Sequence, residues 1–162
     1  MGSGKSTLGK RLARELNVDF NDLDVLIEET TGTRISKIFE LSGEDYFRHV
    51  ENAELNRIIN EKDDYVLSTG GGTPCFLNNI QLMKNHGTVI YIKIKPGILA
   101  SRLTIATTPR PLLRDKNPAE LRAYIEETLA RREKYYLQAD HVIEDDNLNV
   151  KKVIDAIQDN KR

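Results

Sequence analysis

The sequence opens on Met1-Gly2-Ser3-Gly4-Lys5-Ser6-Thr7, and this stretch decides the fold that we predict. Gly4-Lys5-Ser6 matches the end of the phosphate-binding pattern G-x-x-x-x-G-K-[ST]. Glycines let successive backbone N–H groups point at phosphate oxygens, and the N-terminus of the following helix adds its dipole. The lysine reaches the β- and γ-phosphates, and the serine hydroxyl can ligate Mg²⁺. The stretch therefore predicts a nucleotide phosphate site, and the alternative is a flexible glycine- and serine-rich tail.

The residues that follow favour the phosphate site over the tail. Leu8, Leu12 and Leu16 recur at i, i+4 and i+8, so residues 5–16 are predicted to form an amphipathic helix at the offset that the pattern requires. The first glycine of the pattern falls two positions before Met1, and a strand must lead into it. We therefore expect about ten further residues upstream, enough for a strand of ~5–6 residues and its turn.

Strand and helix patterns alternate along the rest of the chain. Strand candidates lie at 18–22, 65–69, 88–92 and 140–143, and predicted helices lie at 34–41, 44–61, 76–84, 98–105, 119–137 and 149–160. This alternation indicates an α/β fold, a parallel sheet flanked by helices in three layers. Neither a repeat nor a linker interrupts the pattern, so residues 1–162 are predicted to form a single domain.

Composition narrows the function classes. The chain has 24 basic and 25 acidic residues, which argues against a general nucleic-acid-binding or membrane-surface protein. The one cysteine, Cys75, cannot form an internal disulfide, which favours a cytoplasmic location. His49, His86 and His141 lack the spacing of a metal site, so we expect them to be ordinary surface or packed histidines.

Two aspartates follow the first strand candidate. Asp22 and Asp24 are two residues apart, and an extended segment would place both carboxylates on the same side. One could serve the Mg²⁺ shell and the other an acceptor hydroxyl. The alternative is a solvated pair in a turn.

Taken together, these motifs resemble the shikimate kinase family across essentially the whole chain. The set is specific although each motif alone is weak. It comprises Gly4-Lys5-Ser6-Thr7-Leu8-Gly9-Lys10, Asp22-Leu23-Asp24, Phe47-Arg48, Ser68-Thr69-Gly70-Gly71-Gly72, Arg110-Pro111-Leu112-Leu113 and Arg132-Glu-Lys-Tyr-Tyr136.

The resemblance implies a fold and a reaction. The fold is that of nucleoside-monophosphate kinases, with a parallel sheet in the order 2-3-1-4-5, and the first, central strand is the one we expect upstream of Met1. A helical region at about 25–61 would bind the substrate, and a lid at about 107–118 would close over it. The implied reaction is the ATP-dependent phosphorylation of the 3-hydroxyl of shikimate, a step of aromatic amino-acid biosynthesis, by a monomeric, Mg²⁺-dependent enzyme.

The resemblance also assigns roles to residues. Lys5, Asp24 and Arg110 are expected to be catalytic, and Ser6 and Asp22 to serve Mg²⁺, the latter through water. ATP would be bound by Gly2, Ser3, Gly4, Lys5, Ser6, Thr7, Arg102 and Arg110. Shikimate would be bound by Asp24, Arg48, Gly70, Gly71, Gly72 and Arg132.

Arg132 and Arg48 could both bind a carboxylate, but each also has another interpretation. Arg132 follows Ile125 and Leu129 on one helix face, where a charge is better explained by an anionic ligand than by solvent. An arginine whose head group reaches out to water from the edge of the face is the alternative, and Arg131 competes for the role. Arg48, beside apolar neighbours, could instead form a surface ion pair.

Two other functions remain open. A gluconokinase-like enzyme of the same fold would also bind a carboxylate and hydroxyls. The combination of Ser68-Thr69-Gly70-Gly71-Gly72 with Arg110-Pro111-Leu112-Leu113 favours shikimate. The other possibility is a nucleotide-binding module that an incomplete phosphate loop has made inactive.

Overall fold

The first helix begins at the lysine of the phosphate loop. The structure is a computed structural model that describes residues 3–105, 117–144, 146–147 and 149–159. Helix α1 spans Lys5–Leu16, as predicted. Gly4 precedes it with φ 79° and ψ 20°, a left-handed conformation that glycine adopts without a steric penalty. Asn17 ends the helix in the same region, φ 55°, and its N–H returns to the carbonyls of Ala13 and Arg14.

The strands form two parallel pairs. β1 (Asp19–Asp22) pairs with β2 (Tyr65–Ser68), from Asp19 opposite Tyr65 to Asp22 opposite Ser68. β3 (Ile90–Lys93) pairs with β4 (His141–Glu144) in the same manner. The predicted α/β class with parallel strands is confirmed. Within the described residues, however, the strands make two separate two-stranded sheets in place of the single predicted sheet.

Helices surround these strands. They are α2 (Leu23–Thr31), α3 (Ile35–Glu61), α4 (Asn79–His86), α5 (Pro96–Ile105), α6 (Pro118–Tyr136) and α7 (Val150–Asp159). Helix α3 contains a kink at Gly43, φ 79° and ψ 178°, where the sequence predicted a break between two helices. In the described part of the chain, no helix has both the length and the apolar character needed to cross a membrane.

Two segments differ from the sequence-based expectation. Asp24 does not continue an extended strand, because β1 ends at Asp22 and α2 begins at Leu23. The Asp22 side chain caps α2 by accepting a hydrogen bond from the N–H of Asp24 (3.2 Å). The helix expected at 76–84 begins instead at Asn79, after a 3-10 turn at Thr73–Cys75.

A cleft separates the two sheets. Leu67 of β2 and Ile90 and Ile92 of β3 line a cavity of about 390 Å³ between them. Among the described residues, β2 pairs only with β1 and β3 only with β4, so one edge of each strand lacks a strand partner. The same cavity extends to Lys5 and to the glycines that follow β2.

Candidate active site

The phosphate loop lies against the end of β1. Ser6, in the first turn of α1, donates a hydrogen bond from Oγ to Oδ2 of Asp22 (2.6 Å). Its hydroxyl also lies 3.5 Å from that of Ser68, at the end of β2. Parallel strands that end together thus bring a hydroxyl and a carboxylate to the N-terminus of a helix. Oxygen donors of this kind are the ligands that Mg²⁺ prefers, usually one or two from the protein beside phosphate oxygens.

Arg102 of α5 bridges the phosphate loop and the segment after β4. Its Nη1 donates to the carbonyl of Ser3 (3.3 Å), and its Nη2 donates to the carbonyl of Asp146 (2.5 Å). This contact places Arg102 beside the predicted ATP site. Gly2 and Arg110 lie outside the described residues, as does most of the predicted lid at 107–118.

Asp24 lies in the first turn of α2, beside the glycine loop that follows β2. Solvent reaches its side chain, but the surrounding protein desolvates the carboxylate and raises its pKa above the ordinary 3.8. The charges of Asp22 and Glu51 add to the increase, and that of Lys5 opposes it. The carboxylate also lies close to Gly70, because a methyl group there would be 3.4 Å from its Oδ1. A carboxylate with a raised pKa in a cleft is typical of a group that handles protons.

Arg48 is held rigidly on α3. Its Nε and Nη2 donate to Oε1 of Glu44 (3.1 and 2.7 Å), and its Nη1 donates to Oε2 of Glu51 (2.9 Å). The guanidinium carbon lies 4.1 Å from the ring centroid of Phe76. Arg48 is only 8% exposed and Glu51 only 1%. The ion pair between Arg48 and Glu51 is therefore buried, unlike the surface ion pair that the sequence allowed as an alternative for Arg48.

The glycine loop after β2 packs directly on this arginine. A methyl group at Gly72 would lie 2.7 Å from Nη2 and 2.9 Å from Cζ of Arg48, so a side chain there would displace the guanidinium. Thr73 donates from its hydroxyl to Oε1 of Glu51 (2.6 Å), and the buried Asn79 donates to the carbonyl of Thr73 (3.0 Å). The loop and α3 are thereby connected through one buried carboxylate.

Arg132 approaches the loop from the opposite side, on α6. It is half-buried, whereas Arg131 is exposed, which favours Arg132 of the two candidates. Its charge acts on the Cys75 thiol and on the Tyr136 hydroxyl, so it lies near the loop. Burial raises the pKa of Cys75 despite the charges of Arg132 and Arg48, as expected for a packed thiol.

Sequence reasoning missed the residues that support Arg48. Glu44 and Glu51 stand four residues before and three after it, the spacing of helical side-chain pairs. That spacing was the available signal, but charged residues at such intervals more often lie on a solvated face. Burial against the glycine loop distinguishes this pair, and burial is a property of the fold.

Comparisons with known proteins agree with this geometry. A family model described as shikimate kinase matches residues 1–161. The chain belongs to the shikimate kinase family. A protein named shikimate kinase from Phocaeicola vulgatus is 41% identical over 162 residues, which cover 100% of this chain and 92% of the relative. Another of that name from Bacteroides fragilis is 41% identical over 156 residues, 96% of this chain and 87% of the relative.

Solved structures of shikimate kinases have the same fold. The crystal structure of the enzyme from Bacteroides thetaiotaomicron matches with a TM-score of 0.90 at 37% identity, covering 98% of this chain and 92% of that one. The shikimate kinase from Acinetobacter baumannii, solved in complex with shikimate, matches with a TM-score of 0.85 at 33% identity. This match covers 99% of the present chain and 90% of that one. The similarity therefore extends over the whole chain.

Proposed function

We propose that this protein is a shikimate kinase that transfers the γ-phosphoryl group of ATP to the 3-hydroxyl of shikimate. The observation that carries the proposal is the convergence of Arg48, Arg132 and Asp24 around the glycine loop after β2, with the charge of Lys5 acting on the Asp24 carboxylate. A small ring with one carboxylate and several hydroxyls fits this combination. Two guanidinium groups match the carboxylate, and the glycines allow close approach of the ring.

The transfer would proceed largely by positioning and charge stabilisation. Asp24 would orient the 3-hydroxyl and accept its proton as the oxygen bonds to the γ-phosphorus. The bond from that phosphorus to the β,γ-bridging oxygen breaks, and ADP leaves. Lys5 and the N-terminus of α1 would stabilise the charge on the phosphates. Arg110 and a lid at 107–118 would complete the site over the phosphates, as the family resemblance implies, together with Gly2, Ser3, Gly4 and Thr7.

Magnesium fits the site as the companion of ATP. Ser6 would ligate the ion through its hydroxyl, and Asp22 would bind it through a water molecule. The 2.6 Å hydrogen bond between Ser6 and Asp22 supports this assignment because it already brings two oxygen donors together. When bound, Mg²⁺ neutralises phosphate charge. We also propose that the enzyme acts as a cytoplasmic monomer in a single domain, with the region at about 25–61 binding shikimate.

The activity can be tested by measuring ADP release with purified protein. We expect Mg²⁺-dependent turnover with shikimate and none with gluconate, and chelation of the metal should abolish it. Replacing Arg132 by alanine should raise the KM for shikimate on the order of 100-fold and leave the KM for ATP within about twofold.

Arg131 provides a matched control one residue away. Because it is exposed, Arg131→Ala should leave both constants near those of the unchanged protein. Equal effects of Arg132→Ala on both substrates would contradict its proposed role. Turnover with gluconate would indicate the other small-molecule kinase, and nucleotide binding without turnover would indicate an inactive module.

We further propose that an extended segment fills the cleft between β2 and β3. In the order 2-3-1-4-5 that the family resemblance implies, the two pairs would be strands 2-3 and 4-5, and strand 1 would run between them, which the cleft between β2 and β3 supports. Apolar side chains line it, including Leu67, Ile90 and Ile92. On each side it is bordered by a strand edge that no other strand of the described residues pairs with. A strand seated there would pair the backbone of both neighbours and lead into the phosphate loop.

This strand proposal predicts a stabilising extension. A chain carrying about six apolar, β-branched residues and a glycine turn before Met1 should unfold more than about 5 °C above the unextended chain, because backbone pairing and apolar burial both increase. It should also bind ATP more tightly. Thermal unfolding and ATP titration provide the measurements, and an equally long glycine–serine extension is the control. Equal melting temperatures for the two extensions would rule out the strand.

A further inference from the structure

Tyr136 connects the last turn of α6 to the glycine loop. Its hydroxyl donates a hydrogen bond to the carbonyl oxygen of Gly71 (2.5 Å). Its ring packs against Tyr91 of β3, with centroids 4.9 Å apart and planes inclined at 39°. The ring is therefore held by the sheet while the hydroxyl holds the loop.

The hydrogen bond from Tyr136 to Gly71 fixes the orientation of the whole Gly71–Gly72 peptide unit. The C=O of Gly71 and the N–H of Gly72 belong to one planar peptide unit and point in opposite directions. Fixing the carbonyl toward Tyr136 therefore aims the N–H away from α6, on the side where Gly72 packs against Arg48. A Gly-Gly peptide rotates easily when nothing restrains it, because neither residue has a side chain. The hydroxyl of Tyr136 supplies that restraint.

Arg132 acts on the same hydroxyl. Burial raises the pKa of Tyr136, and the nearby charge of Arg132 opposes the increase. Arg132 lies one helical turn before Tyr136, so the two side chains share a face of α6. The phenol thus contacts the Gly71–Gly72 peptide and lies near the guanidinium that is expected to bind the carboxylate of the substrate.

We propose that Tyr136 is a positioning residue for recognition of the shikimate carboxylate. It holds the Gly71–Gly72 peptide in one orientation, with the Gly72 N–H on the side of Arg48, and it keeps the glycine loop close to Arg132 of its own helix. The inference rests on the shikimate site proposed above and adds a residue that supports the substrate without touching it. Its effect is expected on shikimate binding and not on ATP, because the restrained groups lie on the glycine loop.

The test compares Tyr136→Phe with Tyr135→Phe in steady-state kinetics on the full chain. The phenylalanine at 136 keeps the packing on Tyr91 and removes only the hydroxyl. We expect it to raise the KM for shikimate about 3- to 30-fold, with the KM for ATP within twofold. Tyr135→Phe, which removes a neighbouring hydroxyl, should change neither constant. Tyr91→Leu should lower the melting temperature through lost ring packing.

The remaining outcomes would contradict either the positioning role of Tyr136 or the proposed function. An unchanged shikimate KM in Tyr136→Phe, or an equal rise in both KM values, would overturn the positioning role. A Tyr136→Phe protein that does not fold would also overturn it, because the hydroxyl would then be structural. Failure of the unchanged protein to phosphorylate shikimate would instead refute the proposed function, which the same assay measures first.

Discussion

Replacing Asp24 by asparagine should lower kcat by about 10²- to 10⁴-fold. Asparagine keeps the shape and can still contact a hydroxyl, but it cannot accept a proton. The KM for ATP should change little, because Asp24 lies beside the glycine loop, where shikimate is proposed to bind. Asp19→Asn is the matched control, since that carboxylate lies on the surface in an exposed ion pair with Lys62. A kcat within tenfold of the unchanged enzyme would contradict the role of Asp24.

The raised pKa of Asp24 sets the direction of the pH dependence. Only the ionised carboxylate can accept a proton, so kcat/KM should fall as pH drops through the raised pKa, above the ordinary carboxylate value of 3.8.

The contribution of Asp24 to the free energy of unfolding should change in the opposite direction, decreasing as pH rises. A carboxyl whose pKa is raised by folding contributes stability at low pH, and this contribution is lost as the group ionises. At neutral pH, Asp24→Asn should therefore be at least as stable as the unchanged protein in thermal unfolding, although it is far less active.

How far the sequence predicts the fold differs between elements. Helix α1 and its Asn17 cap follow from local signals, an apolar stripe and a residue that tolerates positive φ. Local patterns did not predict helix α2, which only the family resemblance covered in its helical region at about 25–61, because the N-cap is Asp22, a residue that also ends a strand. Whether a carboxylate caps a helix or extends a strand depends on where β1 stops pairing with β2. That pairing joins residues more than forty positions apart, beyond the reach of local patterns.

In the candidate site, too, some residue positions follow from the sequence and others depend on contacts between distant segments. The family resemblance grouped Ser6 with Asp22, and the structure brings these two side chains together because a strand ends where the first helix begins. The support of Arg48 could not be predicted in this manner. Its partner Glu51 is close in sequence, but the burial that makes the pair matter comes from Phe76 and Gly72, on a loop that follows β2. Tyr136 is a similar case, since its partner Gly71 is 65 residues away.

The buried pair of Arg48 and Glu51 gives the second large prediction. Arg48→Met should lower the free energy of unfolding by about 3–5 kcal/mol, because it leaves a buried carboxylate without its cation. It should also raise the KM for shikimate on the order of 100-fold through loss of a guanidinium ligand. Denaturant unfolding and steady-state kinetics measure the two effects. Lys37→Met, which breaks an exposed pair with Glu40, should cost less than about 1 kcal/mol.

A double variant separates the two roles of Arg48. In Arg48→Met with Glu51→Gln, no buried charge is left unpaired, and the amide oxygen can still accept the hydrogen bond from Thr73. Stability should return to within about 1–2 kcal/mol of the unchanged protein, whereas the KM for shikimate should stay as high as in the single variant. A double variant as unstable as Arg48→Met would show that packing against Phe76, not charge, makes this arginine structural. If recovery of stability also restored the shikimate KM, the guanidinium would not be a ligand, because its effect on binding would then have come from the disturbed fold.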